Sequence, residues 1–143
     1  MYESKFSNVK VTMTSIPQYD LMAEDLIRFY PDSSNSESNI ISATVRNIGS
    51  NISSENTLTY FASDSVSQSN QRILSSETIG EIAAGSFRTS TISVLKMAAQ
   101  PGDFIWACVD ASQFDIDNSN NCSQPKMINH NITPIILWLL DNE

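Results

Sequence analysis

Two groups of residues carry chemistry worth weighing, and both lie between Gly102 and Ser123. Asp115-x-Asp117-x-Ser119-x-Asn121 puts oxygen-bearing side chains at alternate positions. That spacing opens a calcium loop, because a hard cation takes carboxylate, hydroxyl and amide oxygens together. The sixth position of such a loop is Asn120 rather than Gly, and the twelfth is Lys126 rather than Glu, so it is not an EF-hand. The alternative is a solvated turn whose Asp and Asn side chains bond nearby backbone N–H groups. Asp64, Ser67 and Asn70 form a second, sparser oxygen-rich loop.

The second group is the only cysteine pair, Cys108 and Cys122. One sits on an apolar strand and the other beyond a polar turn. On the two limbs of an antiparallel hairpin they would face each other at bridging distance. The alternatives are two buried thiols or half of a metal site. A metal pair needs further Cys or His ligands, and His130 is the sole histidine. A disulfide is therefore expected, and with it an oxidising, extracellular setting.

Hydrolytic chemistry has little to build on. A Ser-His-Asp arrangement would have to recruit His130 from a polar stretch, and no glycine-rich phosphate loop is present. Asn51, Asn121 and Asn131 each open an N-glycosylation pattern, which an Asn- and Ser-rich chain produces readily by chance.

The elements that must position these groups read as short strands. Ile41, Ala43 and Val45 alternate with Ser42, Thr44 and Arg46, a half-buried antiparallel strand. Thr57–Phe61, Gln71–Leu74, Phe87–Leu95, Phe104–Val109 and Ser123–Ile128 follow, with Asp20–Phe29 as a first strand whose pattern a helix could also use. Gly49 closes the strand that ends at Asn47 and is free to adopt positive φ. Pro101-Gly102 makes a turn. About seven antiparallel strands with no long helix predict an all-β, immunoglobulin-like sandwich with short terminal extensions. Its core is expected to be Ile41, Ala43, Val45, Leu58, Tyr60, Ile92, Val94, Ile105, Ala107 and Val109. No internal repeat is visible.

Composition bounds the partners. The 143 residues suit one domain, and a hydrophobic content of 41% can fill one core. A net charge of −8 repels phosphate backbones, so nucleic acid is not an expected partner, and anionic membranes are disfavoured for the same reason. No apolar run approaches the ~18 residues of a membrane span. Residues 1–30 lack the apolar stretch of a secretion signal, so an extracellular chain would be a mature or excised piece.

With Ile105, Ala107 and Val109 facing the core, Phe104 and Trp106 fall on the outer side of the sheet with Cys108. An exposed Phe–Trp pair there is a candidate contact patch or a sugar platform, unless the chain's own tail covers it. The run Ile135-Ile136-Leu137-Trp138-Leu139-Leu140 needs cover too, on this domain or as a segment donated to a neighbour. The expected organisation is an N-terminal extension or edge strand over 1–18, a sandwich over 19–124, and a spacer with an apolar tail over 125–143.

Four segments in this order resemble one family. Val45-Arg46-Asn47-Ile48-Gly49 is similar to its V-[KR]-N-x-G, and Thr57–Asp64 to its strand and loop TLxYYxSxD. Ile79–Ser86 is similar to I-x-x-L-A-A-G-x-S, and Pro101–Asp110 to P-G-T-Y-Y-x-x-A-C-V-D, followed by an Asn-Asn-Cys-Ser turn. These resemble the cell-adhesion-related bacterial and archaeal domain CARDB over roughly residues 20–124. The chain departs from the pattern at Trp106, where a small or polar residue is commoner, and in its acidic residue before the turn, found here as Asp115 or Asp117. The resemblance implies an immunoglobulin-like sandwich, a matching cysteine pair, a secreted or surface location and no catalytic residues. The function expected is a non-enzymatic module for adhesion, spacing or assembly, acting on protein partners or copies of itself. The alternatives are a self-assembling filament subunit and a carbohydrate-binding module. No cofactor is expected beyond the calcium considered above.

Overall fold

The computed structural model describes residues 16, 18–110 and 112–129. Most of the expected N-terminal extension or edge strand over 1–18, together with His130, Asn131 and Ile135–Leu140, lies outside the described residues. Among the described residues, eight strands form two antiparallel sheets. In the first, β3 (Ser38–Asn47) is central. One edge of β3 pairs with β1 (Leu21–Ala23) and β2 (Arg28–Pro31) in succession, and it also pairs with β6 (Phe87–Leu95). The second sheet has the order β5 (Arg72–Ile79), β4 (Asn56–Ser63), β7 (Phe104–Val109), β8 (Lys126–Met127). A 3₁₀ turn spans Asn118–Asn120.

Period-2 patterning places the core. All ten residues expected inside are buried, and Tyr19, Leu21, Ile27, Ala62, Ile79, Ile82, Ala99 and Ile128 join them in one cluster. On the opposite face of the first sheet, Thr44 and Thr89 sit directly across from each other and share a hydrogen bond of 2.9 Å.

The structure differs from the sequence reading at several elements. The strand expected over Asp20–Phe29 is broken in two. Residues 24–27 leave regular pairing with β3 so that Ile27 can turn fully into the core. β5 runs to Ile79 rather than stopping at Leu74, because Ser75–Thr78 are polar and lie on an edge strand, where no apolar alternation is required. Of the strand expected over Ser123–Ile128, only Lys126–Met127 pairs regularly, since Pro125 has no N–H to give a ladder. The segment after 124 is not merely a spacer: Ile128 is buried and exchanges backbone hydrogen bonds with Gly102 and Asp103, both 2.8 Å.

Gly49 is not at positive φ; Gly85 (73°) and Gly102 (95°) are. At Gly49 glycine is needed for close approach, because a Cβ there would lie 2.6 Å from Asp20 N. Gly102 serves the turn as expected, with Asp103 N donating to Gln100 O at 3.0 Å.

Candidate functional site

The region between Gly102 and Ser123 is built on β7. Past the turn, the returning chain runs antiparallel to it. Val109 N donates to Asn121 O and Ser123 N to Ala107 O, both at 2.9 Å. These bonds bracket Cys108 and Cys122, making them a non-hydrogen-bonded pair, the position where opposed Cα atoms come closest. The two cysteines are joined by a disulfide, with an S–S distance of 2.07 Å. The same strand segment is held to the other sheet: Gln124 N donates to Asp25 Oδ1 at 2.7 Å and Lys126 Nζ to Ile27 O at 3.0 Å. The disulfide thus closes a turn whose far limb clamps the two sheets together.

The acidic turn divides into an inner and an outer half. Asp115 is inside, 6% exposed, paired in a parallel bridge with Tyr19. Its carboxylate accepts from Leu21 N and Asp117 N, each at a long 3.4 Å. Burial pushes its carboxyl pKa up, outweighing those bonds. Asp117 is outside. Its Oδ1 accepts from Ser119 N at 2.9 Å and Ser119 Oγ at 2.5 Å, which holds the Asp117 pKa down and caps the 3₁₀ turn. Asn121 is buried at 3% exposure beside Asp115. Of the four residues weighed for calcium, Asp115 and Asn121 are therefore brought together, while Asp117 and Ser119 turn to each other. Among the described residues, no three His, Cys, Asp or Glu side chains converge as a metal cluster. Around Asp64 the loop is filled by serines, with Ser65 and Ser67 hydroxyls 2.9 Å apart.

The outer face of β7 is not the exposed aromatic pair expected. Trp106 is 2% exposed and lies outside the inter-sheet core cluster. Its indole stacks on Phe61, directly opposite on β4, with ring centroids 5.4 Å apart. One ring face is thereby taken and the remainder is buried, so Trp106 offers no open platform for a sugar. Phe104 is half-buried and sits opposite Met127. The exposed apolar groups of this sheet are instead Ile73, opposite Phe61, and Met127.

Sequence reasoning missed the part played by Asn47. It is fully buried, donating to Asn51 O (2.7 Å) and Ile82 O (2.8 Å) and accepting from Gly49 N (3.0 Å). A polar residue ending an apolar alternation just before glycine was the available signal. Asn121 is buried and Asn51 Nδ2 donates to Gln18 O at 2.8 Å, so both glycosylation patterns within the described residues fall on engaged side chains.

Comparison with family models matches CARDB over residues 18–124. Among solved structures, the chain is similar to the CARDB domain of the PF1109 protein from Pyrococcus furiosus, solved in complex with di-metal ions. Identity to it is 16%, coverage is 77% of this chain and 92% of that one, and the TM-score is 0.55. The solution structure of the same domain gives 16% identity, 80% and 98% coverage and a TM-score of 0.57. A Geobacter metallireducens protein, GmR58A, gives 19% identity, 72% and 89% coverage and 0.52. At these identities the likeness concerns the fold. No curated protein matches the chain.

Proposed function

The chain belongs to the CARDB family, and from that premise we propose that it is a non-enzymatic secreted or cell-surface module that works through protein contact, in adhesion, spacing or assembly. The observation that supports this most is the outer face of the β5–β4–β7–β8 sheet. There Ile73 and Met127 are 67% and 47% exposed and flank Phe61 and Phe104. Apolar side chains on a sheet face away from the core are the usual material of an interface centre. The disulfide fits an oxidising compartment, and the net charge of −8 fits solubility there.

The contact proposed is with a neighbouring copy, through this face and the apolar run Ile135–Leu140. A filament subunit is the second reading, supported by the same run; open-ended polymers rather than a closed small oligomer would distinguish it.

Replacing Ile73 and Met127 together by Asp tests the face. Both are exposed, so the melting temperature should stay near wild type while association is lost. Unchanged association in the variant would show that the contact lies elsewhere.

A further inference from the structure

We propose that the slot between β2 and β8 receives the apolar run Ile135–Leu140 of a second copy of the chain. The inference rests on the contact reading above and deepens it by naming the receptor of that run. Among the described residues β2 pairs only with β3 and β8 only with β7, so each has a free edge. A cavity of about 390 Å³ opens between them. Its floor is Ala99, Ile105 and Ile128, all buried members of the core cluster. Tyr30 and Met127, both exposed, flank its mouth. The slot thus leads from solvent to the core, and its size is within the range of pockets that hold apolar groups. Met127 makes it continuous with the outer sheet face assigned to the contact.

Hydropathy and charge choose the occupant. Ile135–Leu140 is apolar at six consecutive positions. A strand with one wet face needs apolar side chains only at alternate positions, whereas an uninterrupted run suits a strand covered on both faces. A slot between two sheet edges offers that cover, with free backbone groups at its sides and apolar side chains beneath. Lys96 and Lys126 stand at its rim. They are the only lysines among the described residues of a chain with net charge −8, and neither joins an ion pair there. Asp141 and Glu143 follow the run directly, so seating it brings carboxylates to this cationic rim.

The exit point of the chain favours exchange between copies. Asn129, the last described residue, itself lines the slot. A return into the same slot would need a reversal within His130, Asn131 and Ile132, because Thr133 precedes Pro134 and is steered away from turn-forming α conformations. None of these residues is glycine, the usual residue of a three-residue reversal. Two copies with their slots face to face need no reversal. Each run crosses to the other's slot, and the exchange is reciprocal, so the contact closes on itself as a pair.

The test mixes isotope-labelled and unlabelled full chains, treats them with a carbodiimide, which joins a carboxylate directly to a lysine, and weighs the linked peptides. The expected result is Lys96 or Lys126 joined to Asp141 or Glu143, with one labelled and one unlabelled partner in many of the pairs. In light scattering, Tyr30→Asp should weaken self-association by at least about tenfold. Lys96→Glu should weaken it by about two- to fivefold, and adding Asp141→Lys and Glu143→Lys should restore it. Oligomers that Tyr30→Asp leaves unchanged, or whose tail carboxylates link to neither lysine, would overturn the slot and leave the contact reading standing. Links confined to partners of one label would mean that the run fills its own chain's slot, and would overturn the assignment to a second copy. A chain that is monomeric and unlinked at every concentration would overturn both. If Tyr30→Asp does not fold, the linked pairs of the unmodified chain decide.

Discussion

Phe61 and Trp106 stand opposite each other on β4 and β7, their rings 10° from parallel, on the sheet face turned away from the core. Stacking there adds to the burial of the largest side chain in the domain. Trp106→Ala should therefore cost about 3–5 kcal/mol in urea unfolding, as for a core aromatic. Phe104→Ala, two residues away but half-buried, should cost clearly less. Equal costs would mean that Trp106 is not held by its stack.

Breaking the disulfide by replacing Cys108 and Cys122 with Ser should lower stability by about 2–4 kcal/mol, mainly by freeing the 14-residue separation in the unfolded chain. Denaturant midpoints of the oxidised protein and the double variant check this. A variant as stable as wild type would contradict the clamping role given to the turn.

Tyr60 is fully buried, its hydroxyl has no hydrogen-bond partner among the described residues, and burial pushes its pKa up to about 12. Tyr60→Phe removes a desolvated hydroxyl without opening a cavity, so stability should be unchanged or up to about 1 kcal/mol higher. With the folded pKa above the unfolded one, Tyr60 contributes fully below pH 10 and progressively destabilises as pH rises towards 12. The Phe variant should lose that part of the alkaline sensitivity. A destabilisation of more than about 2 kcal/mol would show a hydrogen bond that matters.

Asp115 should govern an acid-side slope. Its folded pKa is raised above the ordinary 3.8, so the folded state holds its proton more tightly than the unfolded chain. Stability should fall as pH rises from 3.8 through the raised value, and Asp115→Asn should flatten that slope. Melts across that range, with and without Asn at 115, read it directly. A slope that persists in the variant would place its origin in another carboxylate.

Gly49→Ala should destabilise by about 1–3 kcal/mol, because the new methyl meets the backbone of Tyr19 and Asp20 at 2.9 and 2.6 Å. Chemical denaturation measures it, and a neutral effect would mean that the β1 entry moves freely.

The strands whose apolar alternation is unbroken were legible in the sequence. Phe87–Leu95 and Phe104–Val109 have the bounds their patterns suggest, and the family motifs fall on real elements. Polar β5 and the broken β1–β2 edge were not, since edge pairing is satisfied by backbone bonds that leave no periodic trace. Gly49 looked like a turn residue because sequence shows a glycine but not the chain that passes against it. At the acidic turn, spacing grouped Asp115, Asp117, Ser119 and Asn121, of which the fold brings Asp115 and Asn121 together. It could not show that Asp117 is spent on its own turn, or that Leu21 arrives from 94 residues away to face Asp115. Trp106 was assigned to the correct face, but its cover by Phe61 depends on cross-strand register, which a single sequence does not reveal.

The proposal of a contact module stands most directly on the state of association. Light scattering over a dilution series should be run on the full chain and on a chain ending at residue 131, which retains every described residue. The account predicts a full chain heavier than a monomer, losing mass on dilution, and a shortened chain that is monomeric throughout with the same melting temperature. Identical monomer masses for both at every concentration would contradict it.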